Sequence, residues 1–246
     1  MKCIIYDFRR AITGRWFLVA FFASLASLYM SIGNQSYYLI DQMKYLKEYG
    51  DNFYLNAADL LMHGMQGDFG MMILPALSAL PFSAQALQEI KSGAIRPAVF
   101  RVGRKNWIAG KLLSTMISGM LLQLAAVAGL LLVLHLLMLI YVGELFPLGD
   151  FAAVPPVLLR RMLCGGIWAG VGCVIALVTE TSSAAYLAPL CLCYAMVMIG
   201  TRFFAEASLL NPTNWLTGAT WPLLLVCVVL ACALAWALQR KVNAHV

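Results

Sequence analysis

Charge is what this sequence has least of. Only 11% of its 246 residues are Asp, Glu, Lys or Arg, against 62% hydrophobic ones. A water-soluble domain carries about 25% charge and at most about half apolar residues, so a single aqueous core cannot hide this much apolar surface. Lipid is the solvent the composition calls for. Catalytic signatures are also missing. Gly110-Lys111 has the look of a phosphate loop, but Gly103 stands seven residues before Gly110 where that loop requires five. Leu112 stands where a magnesium-binding Ser or Thr is needed. No nucleotide-binding domain is therefore expected, and no catalytic residue is assigned. Paired carboxylates or a Ser/His set at membrane depth are not found; the one intramembrane ionisable candidate is His135 in the third apolar run. It is read as a polar site that packs or hydrogen-bonds between helices, because no acid lies within a helical turn of it.

Seven cysteines are present, six of them inside apolar runs and Cys3 near the N-terminus, which argues against a disulfide framework. Cys191 and Cys193 stand two apart and point to different faces of a helix. Met62, His63, Met65, Met71 and Met72 could offer soft ligands to Cu(I), yet methionine-rich membrane stretches are normally packing material. No metal site is assigned. The basic residues are not interleaved with aromatics in a patch that would track a phosphate backbone, so nucleic acid is not an expected partner.

What is present is a series of long apolar runs, at 16–33, 69–87, 107–142, 157–178, 184–203 and 221–239. A hydrocarbon layer of roughly 30 Å takes about 20 helical residues to cross. The expected fold is all-α: a polytopic membrane protein with about six transmembrane helices in one transmembrane domain, 1–246. The first run has no small-residue cleavage site after it and is expected to remain as a span. The third is longer than one crossing needs and should tilt or project. Ahead of the first span, Ile4, Ile5, Phe8, Ala11 and Ile12 share one helical arc with Lys2, Arg10 and Thr13 opposite. That pattern predicts an interfacial helix over 1–15.

Loop charges orient the chain. The N-terminus, 88–106 with Lys111, 179–183 and the C-terminus together hold twelve bases and three acids, Asp7, Glu89 and Glu180. The opposite side holds five bases and eight acids. Both termini are therefore expected in the cytoplasm of a multi-pass cell-membrane protein. On the outer side, 34–68 is an aromatic-rich loop expected to rest as short helices at the interface. Asn211-Pro212 should turn the chain ahead of Trp215 as an interfacial anchor. Arg160 and Arg161 should snorkel to the headgroups.

The stretch 83–106 is the most informative. Glu89 is the only acid among Lys91, Arg96, Arg101, Arg104, Lys105 and Lys111. Pro81 can kink the end of the second span, and Pro97 limits a helix running on through Arg96. A helix of about 14 residues across the cytoplasmic ends of the spans is predicted for 83–96. Glu89 would pair with a nearby base or with a partner protein. Gly93, costing a helix up to about 1 kcal/mol against Ala, would mark the close approach of another backbone.

With these features together, the chain resembles the ABC-2 family of transporter permeases. The resemblance rests on the amphipathic N-terminal helix, six spans with both termini inside and a large first outer loop. It rests also on Glu89-x-x-x-Gly93-x-Ile95 followed by basic residues, Gly110-Lys111 opening the third span, and the Asn211-Pro212 turn before the last. The chain departs from the family in carrying Arg96-Pro97 after the Glu-Gly segment. The resemblance implies a permease that pairs with a second permease chain, the same or a paralogue, above a dimer of separate ATPase subunits. Those subunits would bind the ATP and magnesium. Glu89, Lys91, Gly93, Ile95 and Arg96 would couple to them. Members of this length in peptide-antibiotic (lantibiotic) immunity and export imply an amphipathic peptide or other hydrophobic compound as cargo. A membrane scaffold or sensor using 34–68 as its binding surface, and an intramembrane enzyme, are the alternatives.

Overall fold

The computed structural model describes residues 2–33, 56–141, 148–203 and 211–245. Among them there are helices and turns and no strand. The helices are α1 (Lys2–Thr13), α2 (Arg15–Ile32), α3 (Ala57–Gln66), α4 (Asp68–Ala79), α5 (Gln85–Lys91), α6 (Ile95–Val102), α7 (Arg104–Tyr141), α8 (Val154–Thr179), α9 (Ala184–Phe203) and α10 (Trp221–His245). Five of them, α2, α7, α8, α9 and α10, are long and apolar enough to cross a membrane. The protein is an all-α, multi-span membrane protein. Its lipid-facing surface shows in Phe22, Leu132, Ile140 and Val228, each at least 60% exposed.

The second apolar run, expected as one span over 69–87, is divided. Its helix α4 has only 12 residues, about 18 Å of helix. Pro81 is the cause: it has no N–H to give and its ring crowds the carbonyl of Leu77. The Leu77 carbonyl accepts instead from the Leu80 amide at 3.2 Å, and the backbone turns on through Ser83 to Ala79 and Gln88 to Ala84. Ser83 Oγ ties this break to α8 by donating to the Ala169 carbonyl at 2.8 Å. The stretch still runs the height of the bundle. Gly70 N donates to Ser31 Oγ at the end of α2, while Glu89 reaches Lys111 near the start of α7.

The long third run is a single 38-residue helix, α7, about 57 Å in length. It crosses α8 where two glycines meet. A Cβ on Gly165 would lie 2.6 Å from the Gly119 carbonyl oxygen, and one on Gly119 would collide in the same way with Gly165. Small residues at both positions let the backbones touch, which is how helices associate where lipid removes the hydrophobic drive.

Three further expectations are corrected. Helix α3 does not rest at an interface: Ala57, Leu60, Leu61 and Met65 are at most 1% exposed and pack with Leu28 of α2 and Leu130 of α7. An apolar face of that kind gains more from the bundle than from headgroups. The remaining outer-loop residues 34–55 lie outside the described residues. Trp215, expected as an interfacial anchor, is 7% exposed and stacks on Trp168 with ring centroids 5.7 Å apart. The turn Pro212–Trp215 folds back into the bundle, and Trp221, 67% exposed, is the tryptophan that faces outward near this turn.

The third correction concerns Arg160 and Arg161. Arg161 is 1% exposed. Its Nε donates to Gln123 Oε1 at 3.1 Å and its guanidinium to the Met65 carbonyl, while Gln123 Nε2 donates to Ser78 Oγ at 2.9 Å. Arg160 donates to the Leu216 carbonyl at 2.6 Å. Both are drawn to oxygens inside the bundle, Arg161 through two bonds and Arg160 through one, and Arg160 Nε is left buried without a partner.

Candidate functional site

Helices α1, α5 and α7 meet at one end of the bundle around a buried lysine. Lys111, about one turn beyond Trp107 in α7, has a side chain only 2% exposed. Its Nζ stands 2.9 Å from Asp7 Oδ1 of α1 and 2.6 Å from Glu89 Oε1 of α5. The rings of Phe82 and Trp107 lie 5.4 and 5.8 Å from the ammonium and add a cation–π contribution. Arg10 approaches Glu89 at 3.7 Å. Gln85, oriented to satisfy its neighbours, accepts from the same guanidinium at 2.8 Å.

Two acids and two bases make this cluster neutral, which is what burial demands. Asp7 Oδ2 and Trp107 Nε1 are nevertheless buried with no hydrogen-bond partner. A cluster so arranged is costly to break by halves: losing one member leaves an uncompensated buried charge.

Local sequence explains why the three helices converge. In α1, Asp7 and Ala11 share a face and are buried, while Ile5 and Tyr6 are about two-thirds exposed. Helix α1 therefore turns its one acid into the bundle and leaves part of its apolar arc on the surface. Helix α5 buries Ala86, Leu87 and Ile90, and this leaves Glu89 on the edge nearest Lys111. The single 14-residue helix predicted for 83–96 is instead two short ones, α5 and α6, joined at Ser92–Ala94. Gly93 makes the turn with φ +74°, a conformation glycine adopts without penalty. A Cβ there would meet nothing within 4 Å. Among the described residues of the chain no backbone approaches Gly93 closely, and the positive φ is itself a reason for the glycine.

The predicted coupling residues divide into two groups. Glu89 is inside the cluster, which resolves its two possible partners in favour of nearby bases. Ile95, 1% exposed, anchors the hairpin in the apolar core with Leu87 and Ile90. Lys91, Gly93 and Arg96 are exposed at the tip. Beside them opens a hollow of about 410 Å³ whose far wall is Glu180 and Lys241, an ion pair between the α8–α9 turn and α10. His135 is remote: it lies 24 residues further along α7, about 36 Å, and its Nδ1 is 2.9 Å from the Leu131 carbonyl of its own helix.

Asp7 was not singled out from sequence, and Lys111 was noted as opening the third span but not as a partner of either acid. The available signal was a lone acid on the inward face of a basic amphipathic helix. The methionine group does not converge: Met65 of α3 is in the core, Met71 packs against a different cluster, and Met72 is 47% exposed. Cys191 is exposed and Cys193 buried, on different faces as expected. No family model matches this chain, and no curated protein matches it.

Proposed function

We propose that this chain is the transmembrane subunit of an ATP-driven exporter of the ABC-2 kind in a bacterial plasma membrane. ATP would be hydrolysed on a separate pair of ATPase subunits, and a second permease chain, identical or paralogous, would complete the pathway. The cargo class we favour is an amphipathic peptide or a comparably hydrophobic compound. One observation carries the reading. The exposed α5–α6 tip, with Lys91, Gly93 and Arg96, is joined through Glu89 and Lys111 to α1 and to the 38-residue helix α7. A partner pressing on the tip would move a spanning helix and the interfacial helix together.

In this mechanism the chain supplies no catalytic group. It converts displacement at its basic end, taken as cytoplasmic from the loop charges, into a rocking of the spans. Glu89 acts as a positioning residue, holding α5 to α7 so that motion is not lost in the hairpin.

The test is retention of a fluorescent amphipathic cationic peptide in cells that express or lack the chain. Cells with the wild-type chain should retain less peptide, and depletion of ATP should abolish the difference. Glu89→Ala at wild-type expression should behave as the deletion. Equal retention with and without the chain, across such peptides and hydrophobic dyes, would remove the exporter reading.

A further inference from the structure

A groove of about 540 Å³ lies between α7 and α10 at the basic end, apart from the Lys111 cluster. Its rim carries Arg104 and Lys105, and its walls are Ile108, Leu112 and Ala235, with Gln239 on the α10 side. Both rim cations are exposed. Arg104 spends one N–H on Asn243 Oδ1, a neutral acceptor, at 2.8 Å. No carboxylate pairs with either cation among the described residues. In the neighbouring hollow one of the cations, Lys241, is paired with Glu180.

The polarity runs in one direction. Charge is confined to the mouth, at the end of the bundle where the headgroup layer would lie. From Lys105 the apolar wall follows α7 inward past Leu112 for about 12 Å. A head of negative charge joined to a hydrocarbon tail matches this profile, and a zwitterionic or purely apolar molecule matches only half of it.

We propose that this groove binds one anionic phospholipid from the basic-end leaflet, its phosphate at Arg104 and Lys105 and an acyl chain along Ile108, Leu112 and Ala235. The site is independent of the transport reading. Basic residues beside spanning helices attract anionic headgroups, but here two unneutralised cations stand at the mouth of an apolar cleft, which makes a site rather than a diffuse field.

The experiment is native mass spectrometry of the delipidated full chain in detergent, titrated with phosphatidylglycerol or phosphatidylcholine. The wild-type chain should retain one phosphatidylglycerol in preference to phosphatidylcholine. Arg104→Gln with Lys105→Gln should weaken that binding about 30-fold, the loss of two such headgroup contacts. Ala235→Phe, which fills the cleft without touching charge, should weaken it too. Arg9→Gln, an exposed cation elsewhere at this end, should leave it unchanged. Glycerol 3-phosphate should not compete, since it lacks the chain. Equal retention of both lipids, equal loss in Arg9→Gln, or full competition by glycerol 3-phosphate would each overturn the proposal. So would an Ala235→Phe chain that changes oligomeric mass but not lipid retention, because the groove would then be an interface between copies.

Discussion

Lys111 concentrates the physics of the basic end in one side chain. Replacing it by Met leaves Asp7 and Glu89 as buried carboxylates without their ammonium, a change that costs about 3–5 kcal/mol. The apparent melting temperature in detergent should fall on the order of 10 °C. Neutralising all three positions together (Lys111→Met, Asp7→Asn, Glu89→Gln) should recover most of that loss, since buried ion pairs contribute little over neutral groups of similar volume. A Lys111→Met chain that melts like wild type would show that the cluster holds nothing. Gly93 offers a cleaner contrast. Its penalty on substitution comes from φ +74° and not from crowding, so Ala and Leu should cost the same, about 1–2 kcal/mol, and Asn less. Leu costing far more than Ala in equilibrium unfolding would restore the close-approach explanation. The singularity of Glu89 among bases was legible in the sequence. Its partner was not, because Lys111 is 22 residues away and Asp7 lies 82 residues before it, and only the fold brings them together.

At the scale of elements, hydropathy located the long helices well, since length and apolarity are local properties. Averaged hydropathy passed over the division of the second span, because a window sees Pro81 as one residue among many and not as a missing N–H; the kink expected at Pro81 marked the place. Hydropathy also misplaced Arg160 and Arg161. Whether an arginine snorkels or turns inward depends on acceptors contributed by Gln123, Met65 and Leu216, from other parts of the chain. The α7–α8 crossing gives the sharpest prediction at this scale. Gly119→Ala drives a methyl into the Gly165 backbone and should destabilise by about 1–3 kcal/mol. Gly129→Ala meets only movable side-chain ends, the Phe21 ring at 3.1 Å and Leu25 Cδ1 at 3.4 Å. It should be near neutral, with up to about 1 kcal/mol of helix propensity offsetting the contact. Unfolding of both variants in detergent decides the matter; equal cost would mean that α7 and α8 do not pack through their glycines.

For the whole molecule, the arrangement of charge is the organising feature. Asp7, Glu89 and Lys111 cluster at the same end as the Glu180–Lys241 pair and the Arg104–Asn243 contact, as the loop count grouped them. If that end is cytoplasmic, cysteines introduced at Ser92 and Asn243 in a cysteine-free chain should be shielded from an impermeant thiol reagent in intact cells. Cysteines at Asn52 and Asn214 should react, and labelling at Ser92 from outside would invert the orientation. The central claim is that force from ATP hydrolysed elsewhere enters through the α5–α6 tip. ATP turnover by the purified chain, alone and as the complex isolated through a tag on it, tests that claim most directly. The account predicts none above background for the chain alone. It predicts turnover by the complex, and loss of either ATPase binding or transport coupling in Glu89→Ala. Turnover by the lone chain, or a complex that never hydrolyses ATP, would contradict it.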